Sequence, residues 1–271
     1  MIVDYHMHLR DERGRIAHRV DAVERFVEMA AARGVDEIGF TEHVYYFRQT
    51  REVWTLPYQT ERCVYDLDAY CEAVLEARRR GLPVRLALEI DYVGERQERL
   101  QELLAPYPWD YLLGSVHWLD GLAVDQAPGV WAERTVEEVW RGYVECVCEL
   151  AASGACDVLA HLDLAKIFGC RPSASVLDEL YARLAEAAAR AKVAVEISTA
   201  GLRKPVGEIY PDPALLAACA QRGVAITTAS DAHEPALVGA DFDRALALAR
   251  SAGYRTVAVL EGRRARQEPL G

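Results

Sequence analysis

The sequence predicts an α/β fold of the closed parallel-barrel type. Three observations carry this. Short continuous apolar runs alternate with longer segments of helical spacing, a glycine follows most of those segments, and the first apolar run lacks a glycine-rich turn. Continuous apolar runs fit strands buried on both faces, as in parallel sheets. Glycine just past an apolar stripe fits a helix C-terminus. A doubly wound nucleotide-binding sheet would open on a glycine-rich turn, and Tyr5-His6-Met7-His8 is nothing like one.

Taken in order, strands are expected over 2–5, 37–40, 85–90, 111–115, 158–160, 193–197 and 225–228. Helices are expected over 20–33, 67–80, 135–152, 176–191 and 213–222, four of them closed by Gly34, Gly81, Gly154 and Gly223. A further helix over 241–252 leads to a last apolar run at 256–260. Seven or eight β/α units in about 260 residues suit one barrel domain spanning 1–271.

The composition narrows the function. The 271 residues are 51% hydrophobic, enough for a large core, and carry a net charge of −11. An acidic chain without a basic run is a poor nucleic-acid or membrane binder. No apolar run approaches the ~20 residues of a membrane span. Asp4 and two histidines interrupt the start where a signal peptide would lie. Seven scattered cysteines without a CxxC pair fit reduced thiols in the cytoplasm. Lysine occurs only at Lys166, Lys192 and Lys204, so arginine supplies most positive charge. No stripe in the sequence defines an oligomeric state.

The chemistry lies just after the strands. The first is followed by His6 and His8, the second by Glu42 and His43, and the third ends at Glu89 and Asp91. The fourth leads to Ser115 and His117, the fifth to His161 and Asp163, and the seventh to Ser230, Asp231 and His233. Strand C-termini of a parallel barrel meet at one face, so six of the seven histidines converge there. Unpaired imidazoles crowded together lose hydration and repel once protonated. A metal removes that cost, because neutral imidazole is its partner. His6 and His8 alternate on an extended strand and point the same way, and Asp231 and His233 repeat the spacing. Glu89 is suited to bridge two ions. Mixed imidazole and carboxylate ligands favour zinc, iron or manganese. Two such ions roughly 3.5–4 Å apart can share a hydroxide and stabilise phosphoryl transfer.

These stretches resemble the polymerase and histidinol phosphatase (PHP) family. They are Asp4-Tyr5-His6-Met7-His8, Phe40-Thr41-Glu42-His43, Glu89, Gly114-Ser115-Val116-His117, His161-Leu162-Asp163, Thr199-Ala200-Gly201-Leu202-Arg203 and Ser230-Asp231-Ala232-His233, running from residue 4 to residue 233. The resemblance implies a distorted (β/α)7 barrel, PHP-type, with two or three divalent transition-metal ions (Zn, Fe or Mn). It implies His6, His8, Glu89 and Asp231 on one ion, and Glu89, His117 and His161 on a second. His18, His43 and His233 would hold the third, His18 lying in a loop longer than the common pattern.

The monofunctional histidinol-phosphatase branch is most similar, sharing His161–Lys166 and Thr199–Arg203. It implies hydrolysis of L-histidinol phosphate to L-histidinol and phosphate, in histidine biosynthesis, by a metal-bridging hydroxide. Glu89, Asp231 and His233 are the expected catalytic residues. Arg203, and more weakly Arg171 and Arg48, are expected to bind phosphate. Glu42, Asp91 and Asp163 are expected to orient the imidazoles. Three alternatives remain. One is action on a different small phosphate ester, such as a nucleotide or sugar phosphate. Another is a C–N hydrolase of amidohydrolase type, which usually places a lysine where His117 stands. The last is a metal-stabilised module without catalysis.

Overall fold

The computed structural model describes residues 1–127, 129–132 and 134–271. Parallel strands β1 (Val3–Asp4), β2 (Glu37–Phe40), β3 (Val84–Asp91) and β4 (Tyr111–Ser115) lie side by side. A small hairpin, β5 (Trp118–Leu119) and β6 (Leu122–Ala123), follows, and the sheet resumes with β7 (Val158–Leu159), β8 (Ala194–Ser198) and β9 (Ile226–Ala229). Residues of β2, β3, β4, β8 and β9 are buried throughout, which is why they read as unbroken apolar runs.

Between the strands run helices α1 (Val20–Ala32), α2 (Pro57–Arg62), α3 (Leu67–Arg79), α4 (Gln97–Leu104), α5 (Val136–Ala152), α6 (Ala174–Ala191), α7 (Pro213–Gln221) and α8 (Phe242–Ser251). Thr135 and Glu138 form a reciprocal cap that starts α5. Asp212, with Pro213 behind it, starts α7. Gly34 and Gly81 follow α1 and α3 in the left-handed conformation, at φ +69° and +85°, as expected for glycines that end helices.

The seven strands nearly close into a barrel. The Tyr5 amide donates to the Thr228 carbonyl at 3.0 Å, and the His8 amide donates to the Ala232 carbonyl at 2.8 Å. Buried Asp4 fastens this seam, accepting from the Ser230 amide at 2.8 Å, its hydroxyl at 2.6 Å and the Gly239 amide at 2.8 Å. Burial pushes the Asp4 carboxyl up to about 6 against the pull of those hydrogen bonds.

Alternation along the strands separates the interior into two levels. Ala87 on β3 and Ala194 on β8 belong to an apolar lower cluster with Val3, Tyr5, Tyr111 and Leu113. Two residues further on, Glu89 and Glu196 point the same way and are fully buried. The apolar run at 256–260 is not an eighth barrel strand. It forms β10 (Thr256–Glu261), paired antiparallel with β11 (Arg264–Pro269), and Val257–Leu260 pack against the lower cluster. Ion pairs of Arg85 with Glu261 (3.1 Å) and Arg263 with Asp157 fix the hairpin there. Among the described residues no helix is long and apolar enough to cross a membrane.

Gly39 on β2 shows how tight the wall is. A Cβ there would lie 1.9 Å from the Tyr111 hydroxyl, which donates to the Tyr5 carbonyl at 2.7 Å. Gly39→Ala is therefore expected to destabilise the fold by about 1–3 kcal/mol through overpacking. Urea unfolding measures it, and an unchanged midpoint would contradict this packing.

Candidate metal centre

The strand ends gather their side chains around Glu89. One carboxylate oxygen, Oε2, lies 3.5 Å from His6 Nε2, 3.7 Å from His8 Nε2 and 2.7 Å from His43 Nδ1. The other, Oε1, lies 3.3 Å from His161 Nε2 and 3.5 Å from His117 Nε2. Asp231 Oδ1 approaches His8 and His6 at 3.4 and 3.6 Å. Four triads have ligand atoms within 4.8 Å of one another: His6, His8 and Asp231; His6, Glu89 and His161; His43, Glu89 and His117; and His8, His43 and His233.

A second layer of acids holds the far ring nitrogens of His6 and His117, with a third acid near His8. Glu196 Oε2 lies 3.0 Å from His6 Nδ1, and its Oε1 accepts the His161 amide at 2.7 Å. Asp91 Oδ1 lies 2.7 Å from His117 Nδ1, and Glu42 lies 3.6 Å from His8 Nδ1. The near atoms are left over. His6 Nε2, His8 Nε2, His43 Nδ1 and Glu89 Oε2 are buried without a hydrogen-bond partner, the short His43–Glu89 approach lying off the hydrogen-bond direction. Buried polar atoms without partners are rare and costly. Cations among them would satisfy the whole set, so the donors fit transition metals.

Charge tells the same story. Burial pushes His6 down, but Glu196, Asp231 and Glu89 outweigh it and hold the ring well above its usual range. Burial pushes Glu89 up, but His43, His6 and His117 hold it well below the carboxylate range. Burial likewise lowers His43 and His233, keeping both imidazoles neutral. The backbone is strained at two of these positions: His161 has φ +24° and Asp231 has φ +52°. Such conformations cost about 1–3 kcal/mol and persist where neighbours enforce them. Here the Glu196 bond and the Tyr143 hydroxyl (3.2 Å to the His161 carbonyl) fix one, and the Asp4–Ser230 seam fixes the other.

The PHP domain family matches residues 4–200 of this sequence. The chain belongs to the PHP family. A Deinococcus radiodurans protein named "Probable histidinol-phosphatase" is 33% identical over 89% of this chain and 91% of its own. A Lactococcus lactis protein named histidinol-phosphatase is 23% identical over 96% of this chain and 94% of its own. The solved histidinol phosphate phosphatase of Lactococcus lactis, with zinc, L-histidinol and phosphate, superposes with a TM-score of 0.80 at 19% identity, covering 98% of both chains. This likeness shows that the seven-stranded barrel is the PHP fold.

Within this PHP site eight of the nine expected ligands come together, and His18 is the exception. Its ring is wedged among Phe47, Tyr65 and Tyr70, with Nε2 3.8 Å from Glu42. The longer loop turns back on itself at Asp11–Arg15, and Arg10 takes the inner place, 2.8 Å from Glu42. His8 therefore stands with His43 and His233 where His18 was expected.

Asp163 orients no imidazole. It binds Lys166 at 2.9 Å and accepts the Asp212 amide at 2.7 Å. Arg171 does not line the pocket, because its guanidinium pairs with Glu208. Arg48 pairs with Asp66 at 2.8 Å, on the solvent side. Arg203 donates to the Ser230 carbonyl, next to Asp231, and likewise does not line the pocket, whose cation is Lys204. Sequence reading passed over Glu196, although a lone acid inside the apolar run at 193–197 was a visible signal. It also passed over Lys204 and Asp125, which line the pocket and carry no motif.

Partners of ligand imidazoles typically contribute 10–100-fold to metal affinity. Glu196→Gln is expected to weaken zinc binding within about that range, as measured by competition with a chromophoric chelator. Unchanged affinity would remove Glu196 from its supporting role.

Proposed function

We propose that this chain is a metal-dependent histidinol-phosphate phosphatase, converting L-histidinol phosphate to L-histidinol and phosphate in histidine biosynthesis. The observation that carries it is the Glu89 carboxylate ringed by five imidazoles, three of whose nitrogens lack partners, in a chain one-third identical to a protein bearing that name. The pocket above it, about 210 Å³, suits a small ester.

In this reading His6, His8, Glu89 and Asp231 would hold one ion, and Glu89, His117 and His161 would hold a second. His43 and His233, with His8 near them, would hold a third. Zinc, iron or manganese suit these donors. Such ions supply the Lewis acidity that makes water nucleophilic at neutral pH and offsets charge on the phosphoryl oxygens. The chain does the rest. Glu196 and Asp91 keep the His6 and His117 rings aimed inward. Arg203 and Lys204 draw the phosphate dianion to the mouth. The phosphorus–oxygen ester bond breaks as the water oxygen bonds to phosphorus. The proton that the attacking water gives up balances the one the departing alkoxide gains, carried through water beside Asp231 and the exposed His233, whose nitrogen lies 3.5 Å from the carboxylate. The setting is the cytoplasm, where the seven free thiols stay reduced.

A chelator is expected to abolish turnover of L-histidinol phosphate, and Mn²⁺, Zn²⁺ or Fe²⁺ to restore it. Full turnover by rigorously metal-free protein would end this reading. So would a phosphate-ester screen in which histidinol phosphate turns over no faster than AMP or p-nitrophenyl phosphate. Arg203→Ala is expected to lower kcat/KM by about 100-fold, as loss of a charged transition-state contact does. An unchanged value would remove Arg203 from the site.

A further inference from the structure

The pocket over the metal centre has two unlike kinds of lining. One is aromatic. Tyr45 stacks on His43 with centroids 4.9 Å apart, Tyr58 lies 5.9 Å from Tyr45, and Trp118 lies 5.1 Å from Tyr58. The other is Asp125, whose Oδ1 is buried and has no hydrogen-bond partner among the described residues.

This carboxylate is held in place. The chain reaches it through the β5–β6 hairpin, the Val124 amide donates to the His117 carbonyl at 2.9 Å, and the Trp131 indole donates to the Val124 carbonyl at 2.9 Å. A fixed acceptor, shielded from solvent and lacking a donor, lies where a ligand can bring one. Three ligand classes compete for it. A metal ion needs several converging donors, and Asp125 belongs to none of the four triads. A phosphate would be repelled by like charge. An ammonium group supplies both the charge and the hydrogen bonds.

We infer that Asp125 binds the ammonium group of an aminoalkyl phosphate while Tyr45, Tyr58 and Trp118 take its flat ring. The inference rests on the phosphatase reading and adds the part of the substrate that does not react. Cations at the centre and Lys204 hold the anionic end, and Asp125 holds the cationic end. An ester without the amine leaves the Asp125 carboxylate desolvated and unpaired. Sites built to bond a polar group discriminate strongly against analogues lacking it.

The test uses the metal-loaded enzyme and two esters, L-histidinol phosphate and its deamino analogue, imidazolylpropyl phosphate. The wild type is expected to prefer the aminated ester by about 100-fold in kcat/KM. Asp125→Asn is expected to reduce that preference to within a few fold, mainly through KM. Calorimetry should show L-histidinol binding weakened to a similar extent, with metal content retained. Asp125→Ser serves if the asparagine variant does not fold. A preference that survives loss of the carboxylate overturns the inference. A parallel fall for both esters does too, since it marks a structural role. A wild-type phosphatase with no preference for the amine defeats the inference alone, whereas no phosphatase activity at all defeats the reading beneath it.

Discussion

The structure turns on a single buried carboxylate. Glu89 has no solvent exposure, yet five imidazole nitrogens lie within 3.7 Å of its two oxygens. A carboxylate removed from water is costly unless charge and hydrogen bonds replace its hydration. The barrel meets that demand with side chains from four other strand ends. Each of these reaches Glu89 only if its strand keeps register, so the site and the sheet constrain one another. The pairing of Glu89 with Leu113 sets β4 beside it, and the isolated bridge between His43 and Glu89 sets the end of β2.

Register alone does not aim the rings. Aim comes from a second layer in which Glu196 and Asp91 grip the His6 and His117 nitrogens that face away from the centre. Glu196 acts twice, on the His6 ring and on the His161 backbone, so it couples the two strands β1 and β7 across the interior. The left-handed backbone at His161 and Asp231 belongs to the same scheme. A strand that simply continued would send these side chains along the barrel axis. An abrupt turn beyond the paired residues brings His161 to Glu89 and Asp231 to His6 and His8, and the neighbouring bonds bear the local cost.

Much of this was legible because period and punctuation are local signals. The strands over 37–40 and 111–115 appear with the expected bounds, and the C-terminal glycines stand where the helices end. Six of the seven histidines were legible because they lie just after strands. What escaped depends on partners distant in sequence. The 256–260 run has the composition of a barrel strand, and only its packing under the barrel assigns it to a hairpin. Arg171 and Glu208 neutralise one another across 37 residues, which spacing cannot reveal. His18 lies among Phe47, Tyr65 and Tyr70, apart from His43 and His233, a placement that depends on side chains distant in sequence. Asp125 follows a connection whose path is set by backbone bonds to His117.

The charge balance explains how so acidic a chain can handle a phosphate. The pocket is lined by the carboxylates of Glu89, Asp125 and Asp231 against the ammonium of Lys204. Such a surface by itself repels a dianion. Those same carboxylates, with imidazoles that can give up a proton to a metal, form a strong sink for divalent cations. Cations taken up there invert the local field, so the pocket becomes attractive to phosphate only when loaded. Asp125, outside the triads, keeps its negative charge after loading, and the pocket is left with a positive floor and a negative wall. That polarity matches a substrate with a phosphate at one end and an ammonium at the other.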